Sequence, residues 1–180
     1  MKVIFLDHDG VICLSPQWGG RFKKKGFDSN PETPMDIRMD SFDSKAIKVL
    51  KSILEKTGCE IVVSSDWKRW GTLEQMQKMY IKRGIKPPIA LTPTLQECTI
   101  HGNNFIWSKE WDLEQTRSIE IKQYLHDHPE ITHWVAVDDL DMSDSEGWRN
   151  WGLTNFVLTP KSYEGIKQCG VKERILKFLE

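Results

Sequence analysis

The sequence predicts an α/β fold: a three-layer sandwich with a mostly parallel central sheet and helices on both faces. Short, nearly continuous apolar runs recur as VIFLD (3–7), EIVVSS (60–65), THWVAV (132–137) and NFVLT (155–159). Runs of that kind suit strands buried on both faces. The segments between them place apolar residues at helical spacing, and strands alternating with helices build parallel sheets. Three of the runs also end on paired polar residues, which no packing rule requires.

The elements follow in order. After the first strand and an irregular stretch, Ile47, Leu50, Ile53 and Leu54 mark a helix over 44–57, stopped by Gly58. The strand at 60–65 comes next. Thr72, with Gln75 three residues on, forms a capping-box pattern that opens a helix through Leu73, Met76, Met79 and Tyr80, ending at Gly84. A short strand at 89–91 follows. Ile121, Tyr124 and Leu125 mark a helix over about 115–127, the strand at 132–137 runs into Asp138 and Asp139, and VKERILKFL closes the chain as a helix after the strand at 155–159.

Two segments break the alternation. Residues 15–42 hold Gly19, Gly20, Pro31, Pro34 and the basic run Arg21-Phe22-Lys23-Lys24-Lys25, and residues 92–114 hold Pro93, Gly102 and two tryptophans. Loops of this length in a compact domain are usually functional or disordered. The expected organisation is one domain over 1–180, with 15–42 as a flap or small cap and 92–114 as a second insertion loop.

Composition narrows the class. With 180 residues, 39% hydrophobic and 28% charged, the chain is long enough to bury a real core. A formal net charge of −1 excludes a global field that would steer nucleic acid, so any such contact needs a local patch. Cys13, Cys59, Cys98 and Cys169 lie far apart, which argues against a zinc ribbon or disulfide framework and for buried small side chains in a reducing compartment. No signal peptide is visible and no apolar run approaches the ~20 residues of a spanning helix. A cytoplasmic protein without membrane contact is expected. Eight tryptophans are many for this length, and they serve packing or a stacking surface for a substrate ring.

In a parallel sheet the C-terminal ends of the strands share one edge, where ligands bind. That edge would carry Asp7 and Asp9, then Ser64 and Ser65, then Asp138 and Asp139. So many carboxylates repel one another and some would protonate. A divalent cation removes the penalty, and an all-oxygen set suits Mg2+. One aspartate could then act as nucleophile toward a phosphoryl group, with Ser64 and a cation such as Arg117 stabilising its charge.

These residues resemble the motifs of haloacid dehalogenase (HAD) superfamily phosphohydrolases. The DxDG motif stands as Asp7-His8-Asp9-Gly10-Val11, the strand ending in a hydroxyl as IVVS (61–64), and the strand ending in an acidic pair as VAVDD (135–139). SSDWKR, RSIEIKQYL, VDDLDM and FVLTPKSYEGI are similar to small HAD domains of RNA-repair and polynucleotide-phosphatase proteins. The resemblance implies a Rossmann-like HAD fold with a minimal or small cap. It implies Asp7 as nucleophile, Asp9 as acid and then base, and Ser64 and a Lys or Arg as phosphoryl ligands. Asp7, the Asp9 backbone carbonyl and the Asp138–Asp139 pair would hold Mg2+, with Asp139 favoured as direct ligand and Asp144 as an outer partner. The cation is Arg117 by its place at the helix start, with Lys109 and Lys122 as alternatives. Gly10, Ser65, Lys23 and Lys24 are the candidate substrate contacts.

The implied function is Mg2+-dependent phosphomonoester hydrolysis on a phosphorylated small molecule, a nucleotide or a polynucleotide 3′-phosphate end. Two rivals remain: a catalytically silent HAD-fold binding module, and a receiver-like phosphoacceptor domain. In receivers the acid pair comes early and the acceptor mid-chain, whereas here the order is reversed. Dehalogenases lack the second aspartate of the first motif, so Asp9 points to phosphate chemistry.

Overall fold

The structure, a computed structural model, describes residues 1–15, 30, 32–39, 42–99, 113–144 and 151–180. Five strands form one sheet: β1 (Lys2–Leu6), β2 (Glu60–Val63), β3 (Ala90–Leu91), β4 (His133–Asp138) and β5 (Phe156–Leu158). Their order is β3-β2-β1-β4-β5 and every pairing is parallel. The chain steps outward from β1 to β3, then crosses back to lay β4 on the other side of β1. That reversal makes the β1/β4 junction the switch point, where a crevice opens beyond the strand ends. Leu6 pairs with both Val63 and Val137, so the three central strands end level.

Strand alternation divides the core. Ile4, Leu6, Ile61, Val63, Val135 and Val137 face helices α2 (Ser44–Thr57), α3 (Leu73–Lys82) and α5 (Val171–Leu179). Val3, Phe5, Val62 and Ala136 face α4 (Leu113–Asp127) through Ile121 and Tyr124. Crossovers on opposite faces follow from right-handed connections that run outward and then back.

Local signals act as the sequence indicates. The Asp43 carboxylate accepts from the amides of Lys45 (3.0 Å) and Ala46 (2.8 Å) to start α2, and Gly58 ends it with φ +67°. The Thr72–Gln75 capping box is present in both directions. A short helix α1 (Met35–Arg38) lies inside the segment read as irregular. Met35 is buried there, and buried Arg38 donates to the carbonyls of Thr33 (2.8 Å) and Trp70 (2.7 Å). α1 is too short for periodicity to reveal.

Most of the two insertions, including Lys23, Lys24, Lys25, Lys109, Trp107 and Trp111, lies outside the described residues. Cys13 and Cys59 are buried as expected, but Cys98 is half-buried and Cys169 exposed, because each sits in a connecting segment rather than under the sheet. Among the described residues, no helix is long and apolar enough to cross a membrane.

Candidate active site

Backbone hydrogen bonds carry the sheet one residue past its strands and so place the site. The Asp7 amide donates to Val137 O (3.1 Å), the Ser64 amide to Leu6 O (3.0 Å) and the Thr159 amide to Asp138 O (2.8 Å). Beyond Asp7 the chain folds into a tight loop in which the amides of Ile12 and Cys13 donate to His8 O (3.0 and 2.7 Å). Gly10 takes φ +73°, and a Cβ there would overlap the Asp139 carboxylate. Glycine at this position therefore both permits the turn and leaves room for Asp139. The Thr159 hydroxyl pins Gly10 O at 3.1 Å.

Ligand atoms of Asp7, Asp138 and Asp139 lie within 4.8 Å of one another. Asp7 and Asp138 are buried. Burial, then the charge of Asp138, raises the Asp7 pKa well above the carboxylate range, against the pull of Arg117 and a hydrogen bond from Ser65. Burial likewise pushes Asp138 up to about 6, with Arg117 opposing. Arg117 enters from the first turns of α4. Its Nη1 lies 2.7 Å from Asp138 Oδ2 and 3.3 Å from Asp7 Oδ2, and its Nη2 lies 3.4 Å from Asp66 Oδ2. Burial works against its charge, but Asp7 and Asp138 outweigh it and raise its pKa. Lys122 stands about 140° around the helix from Arg117. Burial lowers its pKa while Asp144 pulls the other way.

The three carboxylates fit a hard divalent cation. Asp138 already has one oxygen on Arg117 and the other accepting from the Leu140 amide (2.9 Å). Among the described residues one guanidinium faces the Asp7–Asp138 pair, and three clustered carboxylates against it form the kind of oxygen donor set a divalent cation would balance. Ser64 Oγ is buried beside the cluster with no hydrogen-bond partner among the described residues. A buried hydroxyl without a partner is costly and calls for a ligand atom or water. The arrangement offers an acid nucleophile, a metal cradle and donors for an oxyanion.

Four residues of the site escaped the sequence reading. The Trp67 indole, read as packing or stacking, donates from Nε1 to Asp9 Oδ2 at 3.1 Å. Asp66 shares Arg117. Lys68 and Glu120 form a buried ion pair at 2.7 Å, and Lys68 also donates to Thr92 Oγ1 (2.9 Å) and Pro93 O (2.8 Å). Two signals could have found them. Asp66, Trp67 and Lys68 directly follow the strand-end serines in a 3₁₀ turn (Asp66–Arg69), so they cannot be far from the edge. α4 also lacks a clean apolar stripe, because Arg117, Ser118, Glu120 and Gln123 are buried beside Ile119, Ile121 and Tyr124. His8, between the two acids, points away from the crevice and meets Tyr80 Oη at 2.8 Å.

Comparison with known proteins adds one finding. The family described as "HAD domain in Swiss Army Knife RNA repair proteins" matches residues 3–170. No curated protein and no solved structure matches.

Proposed function

The chain belongs to the family of HAD domains in Swiss Army Knife RNA repair proteins, and from that premise we propose a Mg2+-dependent phosphomonoester hydrolase that acts on phosphorylated nucleic-acid ends. The observation that carries the reading is the junction of Asp7, Asp138, Asp139 and Arg117 at the switch point of the sheet, beside a Ser64 hydroxyl that has no partner among the described residues.

In the proposed reaction Asp7 attacks phosphorus and forms an aspartyl-phosphate while the bond to the leaving oxygen breaks. Asp9 delivers a proton to that oxygen, then accepts one from the water that releases inorganic phosphate. The Ser64 hydroxyl and Arg117 hold the phosphoryl oxygens, and Ser65 steadies Asp7. Asp7, the Asp9 carbonyl and Asp139 would hold Mg2+, with Asp138 oriented by Arg117 behind them. Once bound, Mg2+ supplies charge neutralisation for the acids and for the phosphoryl group. The basic run with Lys23 and Lys24 belongs to this proposal as a contact for the nucleic-acid backbone.

A silent binding module is disfavoured because the acids, the hydroxyl and the cation that the chemistry needs all stand within one crevice. The test is phosphate release from nucleotides, 3′-phosphorylated oligonucleotides, sugar phosphates and phosphopeptides, with and without Mg2+. Preferential, Mg2+-dependent turnover of the oligonucleotides is expected. Turnover confined to sugar phosphates or phosphopeptides would remove the nucleic-acid assignment, and no Mg2+-dependent release at all would remove the enzyme assignment.

A further inference from the structure

Trp67 is held unusually firmly for a side chain that makes a polar contact at a crevice. Its ring stacks on Phe42 (centroids 5.8 Å apart, planes at 18°) and meets the edge of His8 at 4.5 Å. Phe42 in turn packs edge-on against Tyr80 at 5.2 Å, and Tyr80 Oη closes the group on His8 Nε2 at 2.8 Å. Phe42, His8, Trp67 and Tyr80 are all buried. They come from four places in the chain: the approach to α2, the loop after β1, the turn after β2, and α3. The box therefore locks the indole ring to the same loop that carries Asp7 and Asp9. From the box the indole Nε1–H is directed at Asp9 Oδ2 at 3.1 Å.

An indole N–H can only donate. Facing it, Asp9 Oδ2 accepts, and because the carbonyl oxygen of a carboxylic acid accepts better than its hydroxyl oxygen, the contact favours a proton on Oδ1. A donor fixed by packing thus biases both the orientation of the Asp9 carboxyl and the choice of oxygen that carries the proton. Without that donor the proton would more often be aimed away from the leaving group, and misplacement of a catalytic group lowers rate steeply.

Resting on the proposed reaction, we infer that Trp67 is a positioning residue for Asp9, and that its indole holds Oδ2 so that Oδ1 is turned to serve the leaving oxygen. In the first step the Asp7 oxygen bonds to phosphorus, the bond from phosphorus to the leaving oxygen breaks, and the Oδ1 proton moves to that oxygen. The alcohol departs and Asp9 is left as a carboxylate. Trp67 exchanges no proton.

The test uses kcat/KM for a series of substituted phenyl phosphates, which reports the step that expels the leaving group. Trp67→Phe keeps an aromatic ring against His8 and Phe42 and deletes the donor. General acid catalysis contributes roughly 10²–10⁴-fold, and mostly where the leaving group is poor. Trp67→Phe should therefore slow phenyl phosphate by roughly 10²-fold and para-nitrophenyl phosphate by no more than a few-fold. Asp9→Asn, run beside it, should steepen the leaving-group dependence in the same sense. An equal loss across the series, or none, overturns the inference. If Asp9→Asn steepens the dependence and Trp67→Phe does not, only the inference falls; if Asp9→Asn itself leaves the dependence flat, the general-acid reading beneath it falls as well. Should Trp67→Phe not fold, indole N–H resonances of the intact protein decide. Among eight tryptophans, one slowly exchanging signal should move upfield and exchange faster in Asp9→Ala. No responding signal overturns the inference.

Discussion

Replacing Arg117 with methionine keeps most of the stem volume but removes a guanidinium 2.7 Å from Asp138 and 3.3 Å from Asp7. Both acids are buried, so neither can turn to water for compensation. Breaking a buried ion pair from one side costs about 3–5 kcal/mol. In a chain of this size 1 kcal/mol moves the melting temperature by roughly 2–4 °C, so a drop on the order of 10 °C is expected without metal at neutral pH. The drop must depend on pH. Asp138 sits at about 6 with Arg117 in place, and without it the pKa rises further. An acid whose folded pKa is raised destabilises the fold as pH climbs from the unfolded value, about 3.9, through the folded one. At pH near 5 Asp138 is largely protonated in both proteins and the deficit should shrink; toward pH 8 it should be full. Thermal melts of Arg117→Met and the parent across that range provide the assay. Mg2+ should restore more stability to the variant than to the parent, because one more negative charge faces the metal. A deficit equal at both ends of the range, or no deficit, would refute the electrostatic reasoning.

Burial pushes His8 down to about 3, with the Arg117 charge adding to the effect. A histidine kept neutral in the fold contributes stability that is present above its unfolded pKa, about 6.5, and lost as pH falls below it, by about 1.4 kcal/mol per unit. Melting curves of His8→Gln should therefore show a flatter acid limb than the parent between pH 6 and 4; an identical limb would contradict this. Lys68 and Glu120 should behave as a buried pair in urea titrations: Lys68→Met or Glu120→Leu alone should lose about 3–5 kcal/mol, and the double variant should recover much of it. Additive losses would show that the two side chains act separately.

The fold was legible because buried parallel strands write themselves as short apolar runs. VIFLD, EIVV and HWVAV need no partner to be recognised, and their parallel order puts Asp7, Ser64 and Asp138 on one edge with no further information. Helix boundaries were legible where a side chain caps them, as Thr72 and Gln75 do. What could not be read depends on tertiary packing. Nothing in the spacing of Trp67 and Asp9 shows that a 3₁₀ turn aims the indole at the carboxylate. Lys68 and Glu120 are 52 residues apart, and only the docking of α4 beside the turn after β2 makes them a pair. The polar residues buried on α4 blur its periodicity for the same reason: that face serves the site rather than the core alone.

The fold and the proposed reaction make opposite demands on Asp7. Burial and the neighbouring Asp138 charge disfavour its ionised form, so a neutral isostere relieves a cost in the metal-free protein. Asp7→Asn should then fold at least as stably as the parent without metal, while having no carboxylate to form the aspartyl-phosphate. The decisive measurement is Mg2+-dependent phosphate release by purified, folded Asp7→Asn, on whichever substrate the parent hydrolyses. Release at background level is expected. Release at the parent's rate would contradict the role of Asp7 as nucleophile.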